Sequence, residues 1–143
     1  MAEDAATALS SNAPVQSVIP PGAVDIAASL APYVVVYDAS GRPIAGNGFL
    51  NGTLPSLPSG VFDSVRAQGG EDWFSWQPRP GVRSAVVVDQ ITSAQGGFVM
   101  VGRSLREAEI RVDELTLQVG AVFIFAIVGS FLLVVAGALW LKE

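Results

Sequence analysis

The chain has 143 residues, carries a formal net charge of −5, and contains neither cysteine nor histidine. Without these two residue types it cannot build a disulfide framework, a thiol nucleophile, a zinc site of Cys/His type or a Ser-His-Asp relay. Its basic residues are scattered rather than gathered in a stripe, so we expect no nucleic-acid partner.

The first 32 residues predict a helical segment that is broken by prolines. Residues 2–11 are rich in alanine and favour a helix, whereas the stretch "SNAPVQSVIPPG" contains prolines that end it. Beyond this stretch, Val24–Pro32 predicts one or two further helical turns, which the proline ends.

Residues 33–103 alternate between strand and turn signals and predict an α+β domain. The run Tyr33–Tyr37 favours a strand, because β-branched and aromatic side chains fit a pleated surface. The turn Asp38–Gly41 then reverses the chain in a hairpin. Val61–Gln68 predicts a short amphipathic helix. The strands expected after this helix are two arms of a hairpin within Glu71–Ile91 and a last strand at Phe98–Gly102.

The C-terminal part of the sequence passes from a charged stretch into an uncharged one. Ser104 and Glu107 form an S-x-x-E capping box, which predicts a helix that begins at Leu105. No residue from Val119 to Leu141 is charged, and a helix of this length would cross a hydrocarbon core of about 30 Å. The sequence therefore predicts a juxtamembrane helix over 104–118 and a transmembrane helix, in contact with membrane lipid, over 119–141.

Apolar residues with 3,4 spacing form a stripe along the predicted juxtamembrane helix and into the span: Leu105, Ala108, Val112, Leu115 and Val119. Such spacing is typical of the seam between paired helices, so the helix would pair with a second copy of the chain or with a partner membrane protein. A plain membrane anchor accounts for the same stripe, because every register is apolar inside the span. The pattern leaves both interpretations open.

Two stretches resemble the PAS-like extracytoplasmic sensor domains of bacterial receptors, the single Cache type of histidine kinases and chemoreceptors. "VVVYDASGRPIAGNG" is similar to their first hairpin, and "GGFVMVGRSLREAEIRV" to their last strand with the helix that returns to the membrane. The resemblance rests on the order of elements. It implies a five-stranded antiparallel sheet with short helices over 33–103, and a ligand pocket between the sheet and those helices. The sequence shows no output module after the span, so we expect a signal to leave through a partner.

The resemblance also implies a bacterial inner-membrane protein whose domain lies outside the cytoplasm. Arg103, Arg106 and Arg111 precede the predicted span and Lys142 follows it, and the positive-inside rule applied to these charges would keep the domain in the cytoplasm. Folded domains nevertheless translocate despite such charges, and acidic residues are interleaved with these arginines. We therefore expect an extracytoplasmic domain.

Aromatic and arginine side chains on neighbouring predicted strands form the expected ligand site: Tyr37, Trp73, Trp76, Arg79 and Arg83. A pocket lined by such residues would bind a small carboxylate, because a guanidinium group offers a bidentate fork. The ordinary alternative is that the aromatic residues belong to the core and the arginines to the surface. We expect no metal site and no cofactor.

Two functions follow from these observations. The first is a membrane-anchored sensory or ligand-binding module that passes a signal through its C-terminal helix. The second is a single-span structural or assembly subunit of a membrane complex, without a ligand pocket. We do not expect an enzyme, because the neighbouring carboxylates Glu71 and Asp72 would point to opposite faces of a strand.

Overall fold

The computed structural model describes residues 1–106 and 118–130, and the chain divides into two compact units after Arg106. The first unit is an α+β domain, as expected. Its helices are α1 (Ala2–Ser10) and α2 (Ser59–Ala67), with a 3-10 turn at Val15–Ser17. Its strands are β1 (Val24–Asp25), β2 (Tyr33–Tyr37), β3 (Pro43–Gly46), β4 (Gly48–Phe49), β5 (Glu71–Arg79), β6 (Val82–Gln90) and β7 (Phe98–Ser104).

Five of these strands form one antiparallel sheet in the order β3-β2-β7-β6-β5, which confirms the predicted five-stranded antiparallel sheet. The last strand, β7, lies at the centre, paired with β2 on one side and with β6 on the other. The remaining strands, β1 and β4, form a separate parallel pair. The two predicted hairpins are present as β2–β3 and β5–β6.

Helix α2 covers one face of the sheet and carries the larger hydrophobic core, so this amphipathic helix is confirmed. Its Phe62 and Val65 are buried, and the Phe62 ring lies 5.3 Å from the Tyr37 ring and 4.8 Å from the Phe98 ring, centroid to centroid. Strand residues of the same face complete the cluster: Tyr33, Val35, Trp76, Val82, Val86, Val88 and Met100.

Helix α1 covers part of the opposite face, where Ala5, Ala6 and Leu9 pack against Val34, Val36 and Val99. The alanine-rich sequence suits this contact, because alanine favours a helix and its small apolar side chain lets the helix pack close to the sheet. The end of the helix is bonded to the segment after β6, since Ser10 Oγ accepts a 2.9 Å hydrogen bond from the Thr92 backbone N–H. Residues 1–32 therefore belong to the same compact unit as the sheet.

Of the one or two helical turns predicted at Val24–Pro32, the structure forms a single turn, in which the Asp25 carbonyl accepts hydrogen bonds from the Ala28 and Ser29 N–H groups at 3.1 and 2.8 Å. Val24 and Ile26 donate backbone hydrogen bonds of 2.7 and 2.9 Å to the carbonyls of Asn47 and Phe49, which hold the chain extended as β1. Asp25 then accepts from the Ala27 N–H through Oδ1, and this local bond competes with a helix.

The second unit is described at residues 118–130, which are helical and, except for the half-buried Gly129, exposed. Among the described residues, no helix is both long enough and apolar enough to cross a membrane. The predicted transmembrane helix continues to Leu141, and its part after residue 130 lies outside the described residues. Most of the predicted juxtamembrane segment, including Glu107, also lies outside them.

Candidate functional site

Two of the five predicted ligand residues belong to the core on the α2 face. Tyr37 is fully buried, and its hydroxyl donates a 3.0 Å hydrogen bond to the Pro55 carbonyl. Trp76 is 9% exposed and packs in the same cluster. Burial disfavours the phenolate and thereby raises the pKa of Tyr37. Both side chains thus fill the space between the sheet and α2.

The other three predicted residues lie elsewhere on the domain. Trp73 is 77% exposed on the opposite face, because residues three apart on a strand point to opposite sides. Arg79 follows a register shift in β5, and its guanidinium donates a 2.8 Å hydrogen bond to Asn51 Oδ1. Arg83 is exposed on β6. The structure therefore does not bring the five residues together at one site.

Among the residues that the structure describes, the hydroxyl groups of Tyr33 and Ser84 have no hydrogen-bond partner, and both are buried in the α2-side core. Burial raises the pKa of Tyr33, and the nearby Ser84 hydroxyl lowers it by less, although neither hydroxyl forms an ordinary hydrogen bond with another described residue. A buried polar group without a partner costs about 1–3 kcal/mol. The pair is a polar spot within an otherwise apolar cluster.

The turn of the first hairpin is organised by Asp38, as the D-x-x-G pattern predicts. Its Oδ1 accepts hydrogen bonds from the backbone N–H groups of Ser40 and Arg42 at 2.9 and 3.0 Å, and from the Ser40 hydroxyl. Gly41 provides the positive φ of +81° that closes the turn. The Ser40 hydroxyl, with the Arg42 N–H, lowers the pKa of Asp38 to about 2. The turn is a structural element that the ionised Asp38 carboxylate stabilises more than the protonated acid does.

A cavity of about 450 Å³ lies between α1, the Gly69–Gly70 turn and the ends of β5 and β6. Three carboxylates line it, from Glu3 on α1, Glu71 on β5 and Asp89 on β6. Hydroxyl-bearing residues form much of the remaining wall: Thr7, Ser10, Ser11 and Thr92. We call this space the α1 cavity. It lies on the opposite face of the sheet from α2, and so not where the resemblance implies a pocket.

Asp89 is the buried carboxylate of the α1 cavity. The residue is 7% exposed, and within residues 1–106 and 118–130 its Oδ2 has no hydrogen-bond partner. Burial raises the pKa of Asp89, the carboxylates of Glu71 and Glu3 raise it further, and the Met1 ammonium opposes them. In the described ranges, no group of three carboxylates is placed to hold a metal ion. The sequence pattern pairs Glu71 with its neighbour Asp72 and does not single out Asp89, although a carboxylate inside the β-prone run "AVVVDQI" is a visible signal.

The chain leaves the domain directly from the central strand β7. Leu105 N–H donates a 2.9 Å hydrogen bond to the Arg83 carbonyl, and the Arg106 guanidinium donates to the carbonyls of Ala27 and Ala28. Ser104 Oγ accepts a hydrogen bond from the Arg106 N–H at 3.3 Å. Its predicted partner Glu107 lies outside the described residues.

Comparison with protein-family models, with curated proteins and with solved structures found no match to this chain.

Proposed function

We propose that this protein is a membrane-anchored sensory module of PAS-like, single Cache type, which passes a signal from its domain through its C-terminal helix to a partner. The observation that carries the proposal is the position of β7. This strand is at the centre of the sheet, and the two residues that follow it are hydrogen-bonded to the domain, Leu105 through its backbone N–H and Arg106 through its guanidinium. A shift of the sheet would therefore reach the exit of the chain.

The order of elements supports the PAS-like part of the proposal. A hairpin with an Asp38 turn is followed by a short helix and three antiparallel strands, and the exit follows the last of them. The small carboxylate expected as ligand has less support, since its five expected residues lie apart. The α1 cavity offers a ligand of this domain a space that is lined by three carboxylates.

The membrane part of the proposal rests on the uncharged stretch Val119–Leu141, of which residues 119–130 are helical and expose apolar side chains. We propose that it spans the bacterial inner membrane and holds the domain outside the cytoplasm. Single-cysteine labelling tests this directly, because the chain has no cysteine of its own. Asp63 suits one label, since its side chain is 72% exposed, and Lys142, after the span, suits the matched label.

The experiment treats intact bacterial spheroplasts with a membrane-impermeant maleimide. The full-length Asp63→Cys variant should be labelled in intact spheroplasts, and Lys142→Cys only after lysis. The reverse pattern would place the domain in the cytoplasm. Extraction of the unlabelled protein by alkaline carbonate without detergent would contradict the proposal that the chain is anchored in the membrane.

Trp73 favours a second function, that of a structural or assembly subunit. Its side chain is 77% exposed on the edge strand β5, whereas large aromatic residues are usually buried, and exposed ones are common at protein interfaces. For such a subunit, a larger membrane complex should be visible by native electrophoresis and should be lost in Trp73→Thr. A sensory module should retain its migration in that variant.

A further inference from the structure

The β5–β6 ladder places two carboxylates directly opposite one another, on Glu71 and Asp89. Like charges at opposed positions destabilise a sheet, because their Cβ atoms are only about 4.5–5.5 Å apart. Glu3 of α1 adds a third carboxylate on the same side, and its charge raises the pKa of Asp89 further. The Met1 ammonium offsets part of this repulsion, and a further positive charge would relieve the rest.

The second observation is independent of the number of charges. Asp89 is more than nine-tenths buried and lines the α1 cavity, and no residue in the described part of the chain donates a hydrogen bond to its Oδ2. A buried acceptor of this kind is strongly stabilised by a donor that enters the cavity. The site therefore calls for a ligand with both a positive charge and N–H groups.

The size of the cavity and the spacing of the carboxylates decide between classes of cation. At about 450 Å³ the space suits a small organic molecule. A single metal ion suits it less, since within the described residues no three carboxylates are placed to share one. An aliphatic amine with more than one ammonium group can instead bond the opposed pair Glu71 and Asp89 with one group and Glu3 with another. The hydroxyl-bearing residues of the wall, such as Thr7 and Ser11, suit its remaining N–H groups.

From these observations we infer that the α1 cavity binds a small aliphatic amine, a diamine or polyamine, held by Asp89, Glu71 and Glu3. The inference rests on the proposed function only in calling the bound amine a signal; the binding itself is independent of it. The cavity borders α1, which packs on the central strand β7 through Leu9 and Val99. A bound amine would thus affect, through α1, the position of β7, the strand from which the chain leaves the domain.

The test follows thermal unfolding of the detergent-solubilised full-length protein by tryptophan emission, with putrescine as the probe. Its neutral isostere butanediol and calcium chloride are the comparison ligands, all at matched ionic strength. Putrescine should raise the unfolding midpoint by about 5 °C at saturation. An equal shift with butanediol or calcium, or no shift with putrescine, would overturn the inference.

Two variants identify the site. Asp89→Asn removes one charge without changing shape, and Glu71→Gln does the same at a more exposed position. Each should weaken putrescine binding by about tenfold or more in calorimetric titration, because each removes a charge-assisted hydrogen bond. Asp89→Asn should also raise the midpoint of the unliganded protein, which a carboxylate with a merely structural role would not do.

The matched control is Asp63→Asn, which removes a carboxylate on α2, remote from the α1 cavity and paired with Arg66 at 2.9 Å. Its affinity for putrescine should equal that of the wild type. Full retention of affinity in Asp89→Asn, or an equal loss in Asp63→Asn, would contradict the assignment. Because this assay measures binding alone, its failure would leave the membrane-labelling result unchanged.

Discussion

The ring of Tyr33 occupies the space where a side chain of Gly102 would stand. The two residues are directly opposite on the central strands β2 and β7, and a Cβ atom added to Gly102 would collide with the phenol end of the ring. Gly48 makes room on another side, where an added Cβ would lie 2.6 Å from Tyr33 Cδ2. These glycines are needed for the space that they leave, since neither has a positive φ.

Gly102→Ala should therefore destabilise the domain by about 1–3 kcal/mol, the usual cost of overpacking a core. The measurement is the free energy of unfolding in urea, followed by tryptophan emission. Gly60→Ala is the matched control, because an added Cβ at this position of α2 meets open space. It should stabilise the protein by up to about 1 kcal/mol through helix propensity. Equal stability of the two variants would refute the packing explanation.

Asn47 connects β1 to β2 from a buried position. Its side-chain Oδ1 accepts a 2.8 Å hydrogen bond from the Val34 N–H, and its backbone carbonyl accepts one of 2.7 Å from Val24. Asn47→Ala would leave the Val34 N–H buried without a partner, so we expect a loss of about 1–3 kcal/mol. Hydrogen exchange should become faster at the Val34 amide. In the control Gln77→Ala, at an exposed position of β5, both quantities should remain at wild-type values.

Truncation of Trp76 should destabilise the protein much more than truncation of Trp73, although both residues are on β5. Trp76→Ala removes a side chain that is 9% exposed and should cost about 3–5 kcal/mol. Trp73→Ala removes one that is 77% exposed and should cost less than about 1 kcal/mol. Urea unfolding of both variants gives the comparison. A large loss from Trp73→Ala would show that its face is covered within the protein.

Acid should weaken the protein partly through Asp38, whose pKa is lowered to about 2 from an ordinary value of 3.8. A carboxylate with a lowered folded-state pKa stabilises the fold fully above the unfolded pKa, and this contribution is lost as pH falls from about 4 through about 2. Asp38→Asn should therefore show a shallower decline of the urea midpoint over that range than the wild type. Ser40→Ala, which removes the main cause of the shift, should fall between them. Parallel declines would exclude Asp38 as a source of acid sensitivity.

The strands and α2 were predictable because their signals are local. The β-branched run Val34–Val36 and the alternation around Trp76 are sufficient to place strands, and the Asp38 turn follows from side-chain chemistry alone. The same alternation already separates Trp73 from Trp76, so a single pocket containing both conflicted with the predicted strand. The β1–β4 pairing has no local signal, since each strand is two residues long.

The α1 cavity was not predictable for a similar reason. The opposition of Glu71 and Asp89 depends on the hairpin register, which a shift between Trp76 and Arg79 changes by an amount that composition does not reveal. The third carboxylate, that of Glu3, lines the cavity only because α1 packs on the face of the sheet opposite to α2. Such a site depends on tertiary packing, and sequence patterns report on neighbours along the chain.

We expect a structural change in the domain to alter the segment that follows its last strand. Hydrogen–deuterium exchange of the full-length protein in lipid nanodiscs tests this at residues 104–118, in the wild type, in Asp89→Asn and in Asp63→Asn. Neutralising Asp89 relieves the charge repulsion in the α1 cavity, so we predict altered exchange of this segment in Asp89→Asn and wild-type exchange in Asp63→Asn. Identical exchange in all three proteins would contradict transmission from the domain to the helix.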